Sequence, residues 1–322
     1  MYNAEKFIRK AVESAVFLEE VGEIILIEDK SPDNALEVCE VLENEYRKVK
    51  LFQHPDKRNH GAGASRNLGI EKAQFDYIAF LDADDYFLPN RFLKDKEILI
   101  NNHEIDGVYN ALGIYYYSEN ARKNFLDAGY EYQEFLTLTD EVPPEELFYV
   151  LFGCHPTVKG EFSTVTITVR KSIFEKIGVF NTNLPLKQDT HLWRRMAAKC
   201  KLAAGNLTEA VAIRGVHENN RMVNKLLSVS VDKYWYIDLH NWLKKQNVKK
   251  EYRKCFEKAF LNFKLKKYSK LGQTFAFLAY YSKRPRLIFT RYAMDYHFFE
   301  VFGRNWLTLH SISFKNKLFK KQ

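Results

Sequence analysis

A strand-forming run that stops on three carboxylates constrains this chain more than any other stretch. Phe75 to Pro89 reads FDYIAFLDADDYFLP: an apolar segment from Tyr77 to Leu81, then Asp82, Asp84 and Asp85, then a restart marked by Pro89. Like charges packed this closely repel one another, and burial beside a sheet adds a desolvation cost. Such a cluster persists where a divalent cation or a polar ligand offsets the repulsion, which makes Asp82 and Asp84 the centre of a candidate site. An acidic turn that caps the next helix, with Asp85 as its solvated cap, answers to the same pattern.

The flanking segments narrow the choice. Phe7, Ile8, Ala11, Val12, Ala15 and Val16 recur at helical spacing, and Asn3 stands where a cap belongs, so a helix is predicted over Asn3 to Phe17. Glu23 to Ile27 reads as a short strand ending in Glu28-Asp29, and SPDN turns into a helix over Ala35 to Tyr46. Val49 to Gln53 is another strand. A glycine-punctuated loop, Asn59 to Gly63, enters a helix around Ser65 to Ala73, and the acidic strand follows. Strands alternating with helices at this spacing imply an α/β fold with a parallel, doubly wound sheet, whose ligands sit at the carboxyl ends of the strands. Glu28-Asp29 and Asp82-Asp84 both fall at such ends.

Composition enters mainly through charge. The formal net charge of +8 hides a polarised chain: residues 223–322 carry 22 Lys and Arg against 6 Asp and Glu, whereas residues 1–222 carry 27 against 35. An acidic body with a basic, aromatic-rich tail suggests a catalytic domain plus a segment facing phosphate groups. The cysteines, Cys39, Cys154, Cys200 and Cys255, show no CxxC pairing, which argues against a zinc site or a disulfide framework and fits a reducing, cytoplasmic setting. The sequence holds no apolar run of membrane-spanning length and no basic-then-apolar export signal.

Four stretches in register carry a resemblance. YNAEKFIRKAVES, IEDKSPDN, NHGAGASRNLGI and IAFLDADDYFLPNRF, in that order, resemble the successive blocks of the family 2 inverting glycosyltransferases of the GT-A fold. The likeness runs from Met1 to about Arg221. It implies a doubly wound mixed sheet with a C-terminal helical extension: residues 1–222 form the GT-A domain, with a donor-binding half over 1–105 and an acceptor half over 106–222, and residues 223–322 form a basic, aromatic-rich helical region.

The resemblance also assigns roles. Tyr2 would lie against a nucleotide base, where stacking is worth about 1–3 kcal/mol; packing on the core is the alternative. Asp29 or its neighbour Glu28 would accept a hydrogen bond from a base imide, and since relatives more often have Asp-Asp there, which carboxylate reaches the base stays open. Asp33 could simply cap a helix. Arg66 would lie near base and diphosphate, a place suited to a planar cation. Asp82 and Asp84 would form the DxD-type pair, Asp82 toward ribose or metal and Asp84 toward Mn²⁺ or Mg²⁺ bridging the diphosphate.

The second half contributes a base and a further ligand by the same resemblance. LPLKQDTHLWRRMA, Leu184 to Ala197, is similar to the family block in which an acid at the mouth of a helix deprotonates the acceptor hydroxyl. Asp189 takes that position, Gln188 replaces the usual Glu, and a pure helix cap is the alternative. In EAVAIRGVHENNR, His217 matches a histidine presented to metal or diphosphate. His155 lies where acceptor contacts occur, although a packed histidine explains it as well. Thr164 to Arg170 reads as a strand and 120–145 as a variable loop.

Beyond Arg221 the periodicity is helical over Leu226 to Trp242 and Tyr252 to Tyr268, followed by an aromatic stretch, Gln273 to Tyr292. Helices that interleave aromatics with Lys and Arg suit peripheral contact with anionic membrane or a cap packed on the catalytic domain; no nucleic-acid recognition motif accompanies the charge. In the resembled fold a central strand ends just before the Tyr2-Asn3 pair, so the native product is expected to start upstream of Met1. The function expected is transfer of a sugar from a nucleotide-sugar donor to a glycan or lipid-linked acceptor in envelope polysaccharide synthesis. The alternatives are a non-catalytic nucleotide-sugar or membrane-binding module inactivated by amino-terminal truncation, and a nucleotidyltransferase of similar topology.

Overall fold

The computed structural model describes residues 1–127, 135–218, 220 and 225–265. In chain order the elements are α1 (Ile8–Val16), β1 (Ile24–Glu28), α2 (Ala35–Glu45), β2 (Val49–Gln53), α3 (Gly61–Lys72), β3 (Tyr77–Ala79), β4 (Tyr86–Phe87), α4 (Leu93–Asn101), β5 (Gly107–Tyr109) and β6 (Ala111–Tyr116). They continue with α5 (Glu119–Asp127), α6 (Leu147–Leu151), β7 (Ile167–Arg170), α7 (Ile173–Ile177), α8 (Gln188–Lys199), β8 (Leu202–Ala204), β9 (Ala210–Val216), α9 (Lys225–Lys245) and α10 (Lys250–Leu265). The chain divides into compact units Met1–Cys255 and Phe256–Gln322; of the second, residues 256–265, the end of α10, are described. The predicted aromatic stretch Gln273 to Tyr292 lies outside the described residues. Among the described residues, no helix is long and apolar enough to cross a membrane.

The sheets are mixed. β1 and β2 pair in parallel, Ile24 opposite Val49 and Glu28 opposite Gln53. A four-stranded sheet runs β3-β7-β5-β8, antiparallel about β7 and parallel between β5 and β8, and a three-stranded sheet runs β4-β9-β6. This is the mixed α/β architecture expected. Apolar burial holds it: the helical stripe Ile8, Ala11, Val12, Ala15 and Val16 is buried, with Ile8 and Val12 packed against Leu26, Leu42 and Val49. Cys39 lies in the same cluster, where burial pushes its thiol up to about 12, and all four cysteines are free.

A cleft of about 1380 Å³ separates β1 from β3 and reaches the acidic turn. Its inner walls are apolar, with Val12, Leu26, Ile70, Ile78 and Phe80. Among the described residues the only strand that pairs with β1 is β2, so the other edge of β1 faces this cleft. Among the described residues Met1 bonds to that edge: its amine donates to the Ile27 carbonyl, and Asp29 N donates to Met1 O at 2.9 Å.

Local differences from the sequence reading have long-range causes. Asn3 is no cap; it adopts a left-handed φ of 54°, and α1 begins only at Ile8. Its place is taken by Asp33 on the loop after β1, which accepts from Glu5 N at 2.9 Å and from Ala35 N at 3.3 Å, so one carboxylate serves the entrances of both α1 and α2. Helix α3 starts at Gly61, inside the predicted loop, because Asp29 from β1's end accepts from His60 N at 2.7 Å and Gly61 N at 2.8 Å. Thr164–Thr166 form a 3₁₀ turn under a Ser163 capping box, which delays the strand to Ile167. Within 120–145, α5 forms by burying Ala121 and Phe125, one turn apart.

Candidate active site

The strand-end carboxylates separate into three environments. Asp82 Oδ1 pairs with Arg66 Nη2 at 2.5 Å. Burial works against charge on Asp82, but the Arg66 guanidinium, with Arg214 behind it, outweighs burial and holds the carboxyl below its usual range. Burial likewise lowers Arg66, yet Asp82 and Asp189 more than compensate, and the guanidinium is held above its ordinary value. Arg66 is thus paired with Asp82 and lines the same cleft as Asp189.

Asp84 faces the other way. Its Oδ2 lies 3.3 Å from His217 Nε2 and accepts from Asn220 Nδ2 at 3.0 Å. The His217 ring stacks on Phe7 with centroids 4.8 Å apart, which fixes its plane, and Asn220 accepts from His217 N. Gly215 lets this turn close, since a Cβ there would collide with the Asp84 carbonyl. Asp85 is buried and accepts from Gly215 N at 3.0 Å; burial first, then repulsion from Asp84 and Asp82, pushes it well above the usual carboxylate range. It binds β4's turn to β9.

At the strand end of β1, Glu28 and Asp29 are both 2% exposed, but only Asp29 borders the cleft. Glu28 accepts from Ser31 N at 2.5 Å and Gln53 Nε2 at 2.7 Å; burial opposes its charge, and these hydrogen bonds prevail to hold it below the usual range. Tyr2, 43% exposed, stands at the cleft's mouth.

Asp189 lies in the first turn of α8 and accepts from Thr190 N at 2.7 Å. The residue before this turn, Lys187, has φ 61° and ψ 24°, a left-handed conformation that costs a residue with a Cβ about 1–2 kcal/mol. Gln188 then projects over the start of α3: a Cβ on Gly63 would lie 2.5 Å from Gln188 Oε1, so any larger residue there would push the Gln188 amide aside. His155 is turned elsewhere, 3.0 Å from Glu146.

Tyr2, Asp29, Arg66, Asp82, Asp84, Asp189 and His217 all line one cleft; Glu28 does not. Sequence reasoning missed Arg214, which lines the cleft and donates to Ser163 Oγ at 3.2 Å, and Asn220. The signal for Arg214 was present: an arginine two residues after the apolar Ala212 in a strand that leads to His217. As a cation site, the cleft offers Asp84 and His217 facing one another, with Asp82 engaged by Arg66; no group of three or more metal-capable side chains occurs among the described residues. Asp84 offers a carboxylate oxygen of the kind a hard cation takes and His217 an imidazole nitrogen, so a cation here would draw its remaining ligands from substrate phosphates and water.

Comparison with known proteins bears on this geometry. The glycosyl transferase family 2 model matches residues 1–157. An uncharacterized glycosyltransferase of Haemophilus influenzae is 38% identical over 104 residues, covering 32% of this chain and 41% of that protein. One from Rickettsia felis is 24% identical over 264 residues, covering 78% of this chain and 39% of its own. The chain thus spans about 40% of the length of these relatives. Among solved structures, S. aureus TarS 1-349 superposes with a TM-score of 0.59 at 16% identity, covering 83% of this chain and 70% of that one. Its complex with UDP-GlcNAc gives 0.50 at 19%, covering 82% and 78%. At this identity the likeness is one of fold.

Proposed function

We propose that the cleft transfers a sugar, with inversion, from a nucleotide-sugar donor to a glycan or lipid-linked acceptor in envelope polysaccharide synthesis, a reading supported by the match of residues 1–157 to the glycosyl transferase family 2 model. The observation that carries this reading is the convergence on one cleft of the Arg66–Asp82 pair, the Asp84–His217 pair and Asp189. TarS crystallised with UDP-GlcNAc supports a nucleotide sugar as donor.

In this reading Tyr2 stacks on the base and Asp29, which borders the cleft where Glu28 does not, accepts from its imide. Asp82 orients ribose or cation, while Arg66 faces the diphosphate. Asp189 accepts the proton of the acceptor hydroxyl as that oxygen bonds to the anomeric carbon from the face opposite the diphosphate. The bond from anomeric carbon to diphosphate oxygen breaks, and its electron pair leaves with the nucleoside diphosphate. When bound, Mn²⁺ or Mg²⁺ would be held by Asp84 and His217, with Asp82 beside them, and would balance charge on the leaving group. The cationic excess of residues 223–322 supports a lipid-linked acceptor at an anionic membrane surface.

Screening nucleotide sugars with Mn²⁺ tests the reading. The cognate donor at a hundred times its dissociation constant should stabilise the fold by about 2.7 kcal/mol and release nucleoside diphosphate once acceptor is added. Release of pyrophosphate, or donor binding with no turnover on any acceptor tried, would overturn it.

A further inference from the structure

The turn that presents Asp189 is strained, and the group that restrains it lies far along the chain. The Lys187 carbonyl accepts from Thr190 Oγ1 and His191 N, both at 3.1 Å, which any helix start could supply. It also accepts from the indole Nε1 of Trp235, on α9, at 3.2 Å. The Lys187 ammonium pairs with Asp232 Oδ1 on the same helix at 2.5 Å. Six residues after Asp232, Asp238 lies 3.1 Å from His191 Nε2 and accepts from Asn181 Nδ2 at 2.9 Å. Asp232, Trp235 and Asp238 recur every three residues, so they form one stripe of α9, laid along the beginning of α8. Trp235 is 5% exposed, and its ring meets His191 edge-on at 5.8 Å.

A left-handed residue with a side chain persists only where its surroundings over-determine it. Lys187 is gripped at both its carbonyl and its ammonium by α9, and release of either would let the turn relax toward an ordinary helix entry. Such relaxation would turn Gln188 off Gly63 and shift Asp189 from its place in the cleft lining.

We propose that α9 is a positioning element for the transfer reaction, with Trp235 acting through Lys187 to hold the Asp189 turn in its strained conformation. This rests on Asp189 as the base. Trp235→Phe keeps an aromatic ring but deletes the N–H donor together with the five-membered ring that carries it. At a temperature where the variant is fully folded, its kcat should fall about tenfold, the scale of a base displaced by a fraction of an ångström, while donor affinity stays within twofold. Unchanged kcat would overturn the proposal, as would a loss of donor affinity that accounts for the whole effect. Should Trp235→Phe fail to fold, Asp232→Asn, which loosens the other grip, should lower kcat about threefold, and wild-type kcat there would count equally against it. Asp189→Asn run in parallel separates the two ideas: transfer surviving in that variant defeats the base assignment, whereas transfer lost in it but intact in Trp235→Phe defeats the clamp alone.

Discussion

Glu28 illustrates how a carboxylate at a strand end can be structural. It is buried, bonded to Ser31 N and Gln53 Nε2, and held below the ordinary glutamate range by those donors despite its burial. A carboxylate with a depressed folded pKa contributes stability that is fully present above its unfolded pKa, about 4.3, and is lost as pH falls through the lower folded value. Glu28→Gln, which turns an amide toward at least one of those donors, should cost about 1.5–3 kcal/mol at pH 7. Denaturant titrations should find that the gap closes below pH 4; a gap that stays constant to pH 3 would contradict the assignment. Its neighbour Asp29 differs by bordering the cleft, a distinction that a Glu-Asp pair in a sequence cannot display.

Elements were legible where a local pattern was sufficient to define them. The stripe on α1 and the apolar runs of β1 and β2 are where their residues put them, because burying those faces is the dominant local gain. Boundaries failed where a distant side chain did the capping: Asp33 displaced Asn3, and Asp29 pulled the start of α3 back to Gly61. The same holds for the site. Asp82 and Asp84 were visible because charged residues close an apolar strand, and Asp189 and His217 through the resemblance of their blocks, whereas nothing local at Lys187 announces a left-handed turn held by Trp235 nearly fifty residues later. At this scale β1 makes a testable case. Residues alternate along a strand, and Ile24 N donates to Lys48 O, so the amides of Ile25 and Ile27 point away from β2 and into the cleft. Hydrogen exchange should be markedly faster at Ile25 and Ile27 than along β9, which is paired on both sides; equal protection would contradict the unpaired edge.

For the molecule as a whole, the unit Met1–Cys255 joins the family-matched residues 1–157 to the segment that carries Asp189, His217 and the clamp on α9. Gly63 lies under Gln188, and Arg66 and Asp189 line the same cleft, so helices α3 and α8 meet along one wall of it. The charge contrast between residues 1–222 and 223–322 was readable by counting alone, since it needs no geometry. The central claim is that Asp189 takes the acceptor's proton beside the acidic turn. Transfer by Asp189→Asn, measured as acceptor-dependent nucleoside diphosphate release with donor binding titrated in the same preparation, tests it most directly. Turnover should fall by about 10²–10⁴-fold with donor affinity unchanged; turnover within a few-fold of the parent protein would contradict the account.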